Sequence, residues 1–141
     1  MTQIRMVAPP DTEIARQGMP QFFGVSEASV GAGGISMNLT VFPPGGSSKA
    51  HLHREFETAI YAISGRVQLF YGDRLEHTCT LEPGTFCFIP ADLPHKAYNL
   101  STTEQAVSVT ARNDPREQEN VVLTPEADDG SPDERVSSLR A

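Results

Sequence analysis

Apolar and polar residues alternate one for one along three separate stretches of this chain, and turn signals interrupt the pattern. Ile35, Met37, Leu39 and Val41 alternate with Ser36, Asn38 and Thr40. Leu75, His77, Cys79 and Leu81 alternate with Glu76, Thr78 and Thr80, and Val107, Val109 and Ala111 with Ser108 and Thr110. A period of two puts each set on one face of a β-strand, so each stretch reads as a strand with one buried face. Residues 58–63 and 67–71 are more apolar on both faces, as strands inside a sandwich are. Pro43-Pro44-Gly45-Gly46, Ser64-Gly65, Gly72-Asp73, Glu82-Pro83-Gly84 and Pro90-Ala91-Asp92 supply the turns, about one per ten residues. This rhythm predicts an all-β antiparallel sandwich or barrel. No long helical period appears; residues 11–17 carry at most one helical turn.

A chain of 141 residues is one domain by length. We expect an N-terminal arm over residues 1–20, a β core over 21–124 and an acidic disordered tail over 125–141. Within the last part of the core, Val121-Val122-Leu123 reads as an edge strand or packing segment. The tail carries Glu126, Asp128, Asp129, Asp133 and Glu134 against Arg135 and Arg140. The net charge of −7 argues against nucleic acid as a partner, because phosphates demand clustered Lys and Arg. No apolar run approaches the ~20 residues of a membrane span, and Met1-Thr2-Gln3-Ile4-Arg5 opens no secretory signal. A cytoplasmic protein with no membrane partner is expected. In that compartment Cys79 and Cys87 read as buried free thiols.

Three of the four histidines fall in two short segments. His51 and His53 are two apart, so both side chains leave the same face of a strand. Glu57 follows at the start of the next apolar run, and His95 follows a turn framed by Pro90 and Pro94. His51, His53, His95 and Glu57 together make a mixed nitrogen and oxygen donor set for one divalent metal. His77 lies on the apolar face of its strand and reads as a core or cavity histidine. Tyr61 and Tyr98 read as packing residues, and Phe56, Phe86 and Phe88 as core or pocket wall. Phosphate-cradling glycine loops and a nucleophilic serine elbow are absent from the sequence.

These two segments resemble the paired motifs of the cupin superfamily. Gly45, His51, His53, Glu57 and Gly65 occupy the places of the first motif, and Gly84, Pro90, His95 and Asn99 those of the second. The resemblance covers residues 35–111. It implies a double-stranded β-helix, that is, a jelly-roll cupin barrel of two antiparallel sheets. It also implies a metal held by His51, His53, Glu57 and His95, and a homodimer. Two positions depart from the pattern. Asp92 replaces the second glycine of the second motif, and Asp is among the better non-glycine residues for a left-handed turn. Glu57 has three residues before it and one too many after it; the longer variant would put the carboxylate at Thr58. Either a bulge turns Glu57 inward, or the site is looser than the family norm.

The function implied is a metal-dependent enzyme acting on a small organic molecule inside the barrel. Dioxygenase-like oxidoreductase chemistry on Fe(II) is favoured, because such a ligand set leaves room for substrate and dioxygen; Mn, Ni, Co or Zn are the alternative ions. Redox-neutral isomerase, cyclase or lyase chemistry at the same site and a non-catalytic small-molecule binding module are the other readings.

Overall fold

A computed structural model describes residues 2–8, 13–14, 18–116 and 120–140. The strands are β1 (Glu13–Ile14), β2 (Pro20–Val25), β3 (Ser36–Phe42), β4 (His51–His53), β5 (Thr58–Ser64), β6 (Val67–Tyr71), β7 (His77–Leu81), β8 (Phe86–Ile89), β9 (His95–Asn99), β10 (Ala106–Arg112) and β11 (Val121–Leu123). They form two antiparallel sheets, ordered β1-β2-β3-β10-β5-β8 and β11-β4-β9-β6-β7. The all-β, two-sheet expectation holds. The core opens on β2 and a four-residue helix, α1 (Glu27–Val30), closed by a Ser26–Ser29 capping box. The single helical turn considered for residues 11–17 lies outside the described residues, except for Glu13 and Ile14, which are strand.

The two sheets pack through Phe42, Ala62 and Ala106 on one side and Val67, Leu69, Leu81 and Ala97 on the other. Gly65 makes possible the tight turn by which the chain passes from β5 in one sheet to β6 in the other: its φ is +79°, and a Cβ there would lie 2.5 Å from Ala106 Cβ. Asn99, fully buried, is a structural post. Its amide donates to the carbonyls of Phe42, Pro43 and Glu104 and accepts from the Ser101 N–H, tying two loops to the end of β9.

Which face turns inward differs from the simplest reading of the alternation. On β3 the polar set Ser36, Asn38 and Thr40 is buried, while Met37 and Leu39 are exposed. On β10 Ala106, Ser108, Thr110 and Arg112 are buried, and Val107, Val109 and Ala111 are only half-buried. Pairing registers confirm the phase, since Thr40 faces Ser108, Asn38 faces Thr110 and Ser36 faces Arg112. The interior polar groups satisfy one another: Asn38 donates to Gln21, and the Thr40 and Thr110 hydroxyls lie 3.4 Å apart. A polar interior and an apolar exterior make this sheet the wall of a cavity rather than half of an oily core.

The acidic segment also differs from expectation. A 3₁₀ turn (Pro125–Ala127) and a ten-residue helix, α2 (Ser131–Arg140), cover the outer face of the five-stranded sheet. Pro132 and Val136 are buried, and Ala127 and Val136 join Ala50, Phe70, Leu75 and Tyr98 in a second apolar cluster. The acids that suggested disorder meet a buried cation. Lys96 Nζ lies 2.7 Å from Asp128 and 3.5 Å from Asp133, and Tyr98 donates to Asp133. Arg135 sits over the Phe70 ring. Among the described residues, no helix is long and apolar enough to cross a membrane.

Deleting residues 125–141 therefore uncovers Phe70 and Tyr98 and removes both partners of Lys96. At about 1.5–3 kcal/mol per large apolar side chain and ~3 °C per kcal/mol, the melting temperature is expected to fall by roughly 5–15 °C. Circular-dichroism melts of the full and shortened chains check this; superimposable curves would show that the segment does not hold the barrel.

Candidate metal centre

β4 is only three residues long, yet it carries two of the three histidines on its inner face. It is held on both sides. Val121 and Leu123 of β11 pair with His53 and His51, and His51 pairs with His95 of β9. The turn that delivers His95 is fastened to the end of β4 as well. Asp92 takes the left-handed conformation, φ +63°, that its place in the second motif requires. Its backbone N–H donates to the His53 carbonyl (3.0 Å), and its carboxylate accepts from the Glu55 N–H (3.0 Å).

His51, His53 and His95 thereby converge. All three are buried, and their candidate ligand nitrogens lie within 4.8 Å of one another. His51 Nδ1 lies 2.7 Å from the Lys49 carbonyl oxygen and His95 Nδ1 lies 2.9 Å from that of Leu93. A carbonyl only accepts, so each Nδ1 carries the proton, and each Nε2 presents a lone pair. His53 Nε2 is buried with no hydrogen-bond partner among the described residues. An orphaned buried nitrogen beside two oriented imidazoles suits a metal ligand, since a bound ion would satisfy its lone pair. The set fits a divalent transition ion.

Burial also tunes these rings. It lowers the His51 and His53 pKa values well below the ordinary 6.5 and brings His95 to about 4. The nearby Arg112 guanidinium pushes all three further down. The rings are neutral, and so competent to bind a metal, far into the acid range.

The fourth expected ligand is elsewhere. Glu55 turns the chain with φ +67° after Arg54, and this turn does not carry Glu57 inward. Glu57 is exposed, its N–H held by Asn113 Oδ1 at 2.9 Å, and it borders an outer groove with Met37 and Phe88. Thr58 takes the inner position instead. Facing it in register on β10 is Arg112, whose Nε donates to Thr58 Oγ1 at 3.0 Å. Burial draws the Arg112 pKa down to about 10 against the attraction of Asp114. Sequence reading passed over Arg112. The signal is its phase, since it continues the Ser108 and Thr110 set, which the alternation puts opposite Val107, Val109 and Ala111.

Arg112, Thr58, His51 and His95 line one interior cavity of about 50 Å³ with Gln21, Thr40, Ser108 and Thr110. A second cleft of about 270 Å³ lies at the seam between β7 and β8, bordered by Tyr71, Cys79, Cys87, Phe88, Pro90 and Leu93. Leu69, Ile89 and His95 are walls of both. The thiols are thus free but not buried in a core: Cys79 is exposed and Cys87 half-buried. His77 is a surface residue beside Tyr71 and Glu76, because the edge strand β7 leaves it in solvent. Phe86 is on the outer face, 83% exposed and stacked on Tyr61.

The Cupin domain profile matches residues 38–110, more than half of the chain, which therefore belongs to the cupin family. No curated protein matches the sequence. Among solved structures it resembles the polyketide cyclase RemF from Streptomyces resistomycificus, with a TM-score of 0.69 and 23% identity over 86% of each chain. It also resembles recombinant oxalate oxidase in complex with glycolate, with a TM-score of 0.65 and 19% identity over 89% of this chain and 72% of that one. The Lactobacillus farciminis oxalate decarboxylase formate complex aligns with a TM-score of 0.68 and 16% identity, over 80% of this chain and 33% of that one. At these identities the likeness is one of fold.

Below pH ~6.5 the unfolded chain protonates its histidines while the folded, metal-free chain does not. The unfolded state then binds more protons, so stability rises with pH in this window and is lost as pH falls from ~6.5 towards 4. The slope is at most about 1.4 kcal/mol per pH unit for each histidine. Urea unfolding of the chelator-treated protein at pH 7 and pH 5 is expected to show the loss, and His95→Gln to lessen it. A flat profile in the wild type would refute the buried, neutral cluster.

Proposed function

We propose that this member of the cupin family is a divalent-metal-dependent enzyme acting on a small organic molecule held inside its barrel. The observation that carries the reading is the convergence of His51, His53 and His95, with two Nδ1 atoms fixed by carbonyls and the His53 Nε2 left without a partner. A bound divalent ion would supply Lewis-acid or redox chemistry there. The chain's own part is to hold three neutral imidazoles, those of His51 and His95 in a fixed tautomer, to wall the cavity with Leu69 and Ile89, and to present Thr58 and Arg112 opposite the histidines.

Two reactions share this donor set. Oxygen-dependent chemistry on Fe(II) was favoured by a site in which the Glu57 carboxylate lowers the charge of the ion. With Glu57 exposed, three neutral donors leave the double charge uncompensated and available to polarise a bound molecule. That supports redox-neutral isomerase, cyclase or lyase chemistry ahead of dioxygenase chemistry. The seam cleft beside His95 is wide enough for the remainder of a substrate larger than the inner cavity admits.

We further propose a homodimer. The chain's own C-terminal helix covers one sheet, whereas the other exposes Ile35, Met37, Leu39, Ile63, Phe86 and Phe88. So much contiguous apolar surface marks an interface. Sedimentation at micromolar concentration tests it, and a monomer would refute it.

Metal analysis of protein produced in its own host is the direct test of the site. About one divalent ion per chain is expected, reduced at least ~10-fold in the His51→Ala/His53→Ala variant and unchanged in Glu57→Gln. Equal metal in all three would sink the proposal. Zinc or nickel as the resident ion would support the redox-neutral reading, and iron would return the oxygen-dependent one to first place.

A further inference from the structure

The interior of the barrel holds a cation. Among the described residues no Asp or Glu lines the inner cavity, and Arg112 is 8% exposed within its wall. The one hydrogen bond of its side chain among the described residues is from Nε to Thr58 Oγ1. None of the ion pairs of the described residues includes it. Asp114, the acid that attracts it, is otherwise engaged: one oxygen accepts from the Arg116 N–H and the other from the Asn120 amide. Among the described residues the two terminal Nη groups are thus left without a hydrogen-bond partner.

An isolated buried guanidinium is strongly unfavourable, and folds do not keep one in a cavity wall for packing alone. Its remaining edge, two parallel N–H donors, is the geometric match of a carboxylate. It stands on the sheet opposite the histidines, within electrostatic reach of all three. Gln21, Thr40, Ser108 and Thr110 add only neutral donors and acceptors to the same space.

We propose that the molecule held in the barrel is a small carboxylate, anchored through its anionic group by Arg112, with Thr58 orienting the guanidinium. The proposal rests on the interior being the site described above, and it names the substrate class of that site. The inner cavity of about 50 Å³ suits a carboxylate head of a few heavy atoms. Any longer body extends past His95 into the apolar seam cleft. Arg112 is then a binding residue and Thr58 a positioning residue.

Acetate and its neutral isostere acetamide serve as probes, titrated calorimetrically into chelator-treated and zinc-loaded protein at constant ionic strength. Acetate is expected to bind both forms and acetamide neither. Arg112→Met keeps the length of the side chain and removes the charge; acetate affinity should fall roughly 10- to 100-fold. Arg112→Lys, which keeps the charge and loses the fork, should fall between, and Thr58→Val should weaken acetate several-fold with its selectivity over acetamide retained. Equal affinity of the wild type for acetate and acetamide, or undiminished acetate binding in Arg112→Met, overturns the proposal. If the Arg112 variants fail to fold, the wild-type comparison together with Thr58→Val decides. Zinc content measured in parallel separates the two readings. Loss of metal with Arg112-dependent acetate binding intact would refute the metal centre alone.

Discussion

Everything at the site depends on how a three-residue strand is held. β4 is too short to fix its own register, and its ladder to β9 contains a single residue pair, His51 with His95. The remaining constraint comes from its flanks. β11 pairs along its whole length, and the Thr124 N–H donates to Ala50 while the Arg54 N–H donates to Asn120. On the other side Asp92 bonds the His53 carbonyl through its backbone and the Glu55 N–H through its carboxylate. The geometry of the histidine cluster is thus buttressed by the segment that runs directly into the 3₁₀ turn and α2. Anchoring of α2 over Phe70 and Lys96 stabilises the position of β11, and through it the placement of His51 and His53.

The histidine cluster was legible because its determinants are local. Two residues of spacing on a strand dictate a shared face, and a proline-framed turn returns the third ring. The strand rhythm was legible for the same reason. What was not legible depends on contacts between distant segments. Alternation shows that β3 has two faces but not which one is interior; that is decided by Gln21, Thr110 and Arg112 arriving from other strands. The one-residue offset of Glu57 from the motif spacing was visible, but the left-handed conformation of Glu55 that accompanies its outward position was not, because a non-glycine residue gives no warning of it. The acidic segment looked too polar to fold because Pro132 and Val136 are its main buried contacts. Its order comes from Lys96, a cation on the barrel that could not be paired with Asp128 and Asp133 from sequence.

The inverted sheet links these points to chemistry. A barrel with Ser, Thr, Asn and Gln side chains inside forgoes part of the hydrophobic stabilisation that the same residues would supply if reversed. It gains a cavity whose walls can hydrogen-bond to a polar guest. The apolar atoms are not wasted, since they form an outer face suited to association. Met19, Phe42, Leu69 and Leu81 pack together with Ala106 and also line the cavity, so the chamber is polar on one part of its wall and apolar on the rest.

Arg112 and the histidines stand in an apparent conflict that the anion resolves. The guanidinium disfavours protonation of all three rings, which prepares them for a metal, yet the same positive field disfavours the metal itself. Among the described residues no carboxylate in the cavity wall relieves this repulsion. A carboxylate placed between guanidinium and ion is attracted by both and screens each from the other. Its affinity and that of the ion are then linked, and the linkage is reciprocal: each bound partner tightens the other by the same factor. A protein carboxylate at position 57 would have lowered the charge of the site permanently. Leaving it outside makes the charge balance of the barrel depend on the guest.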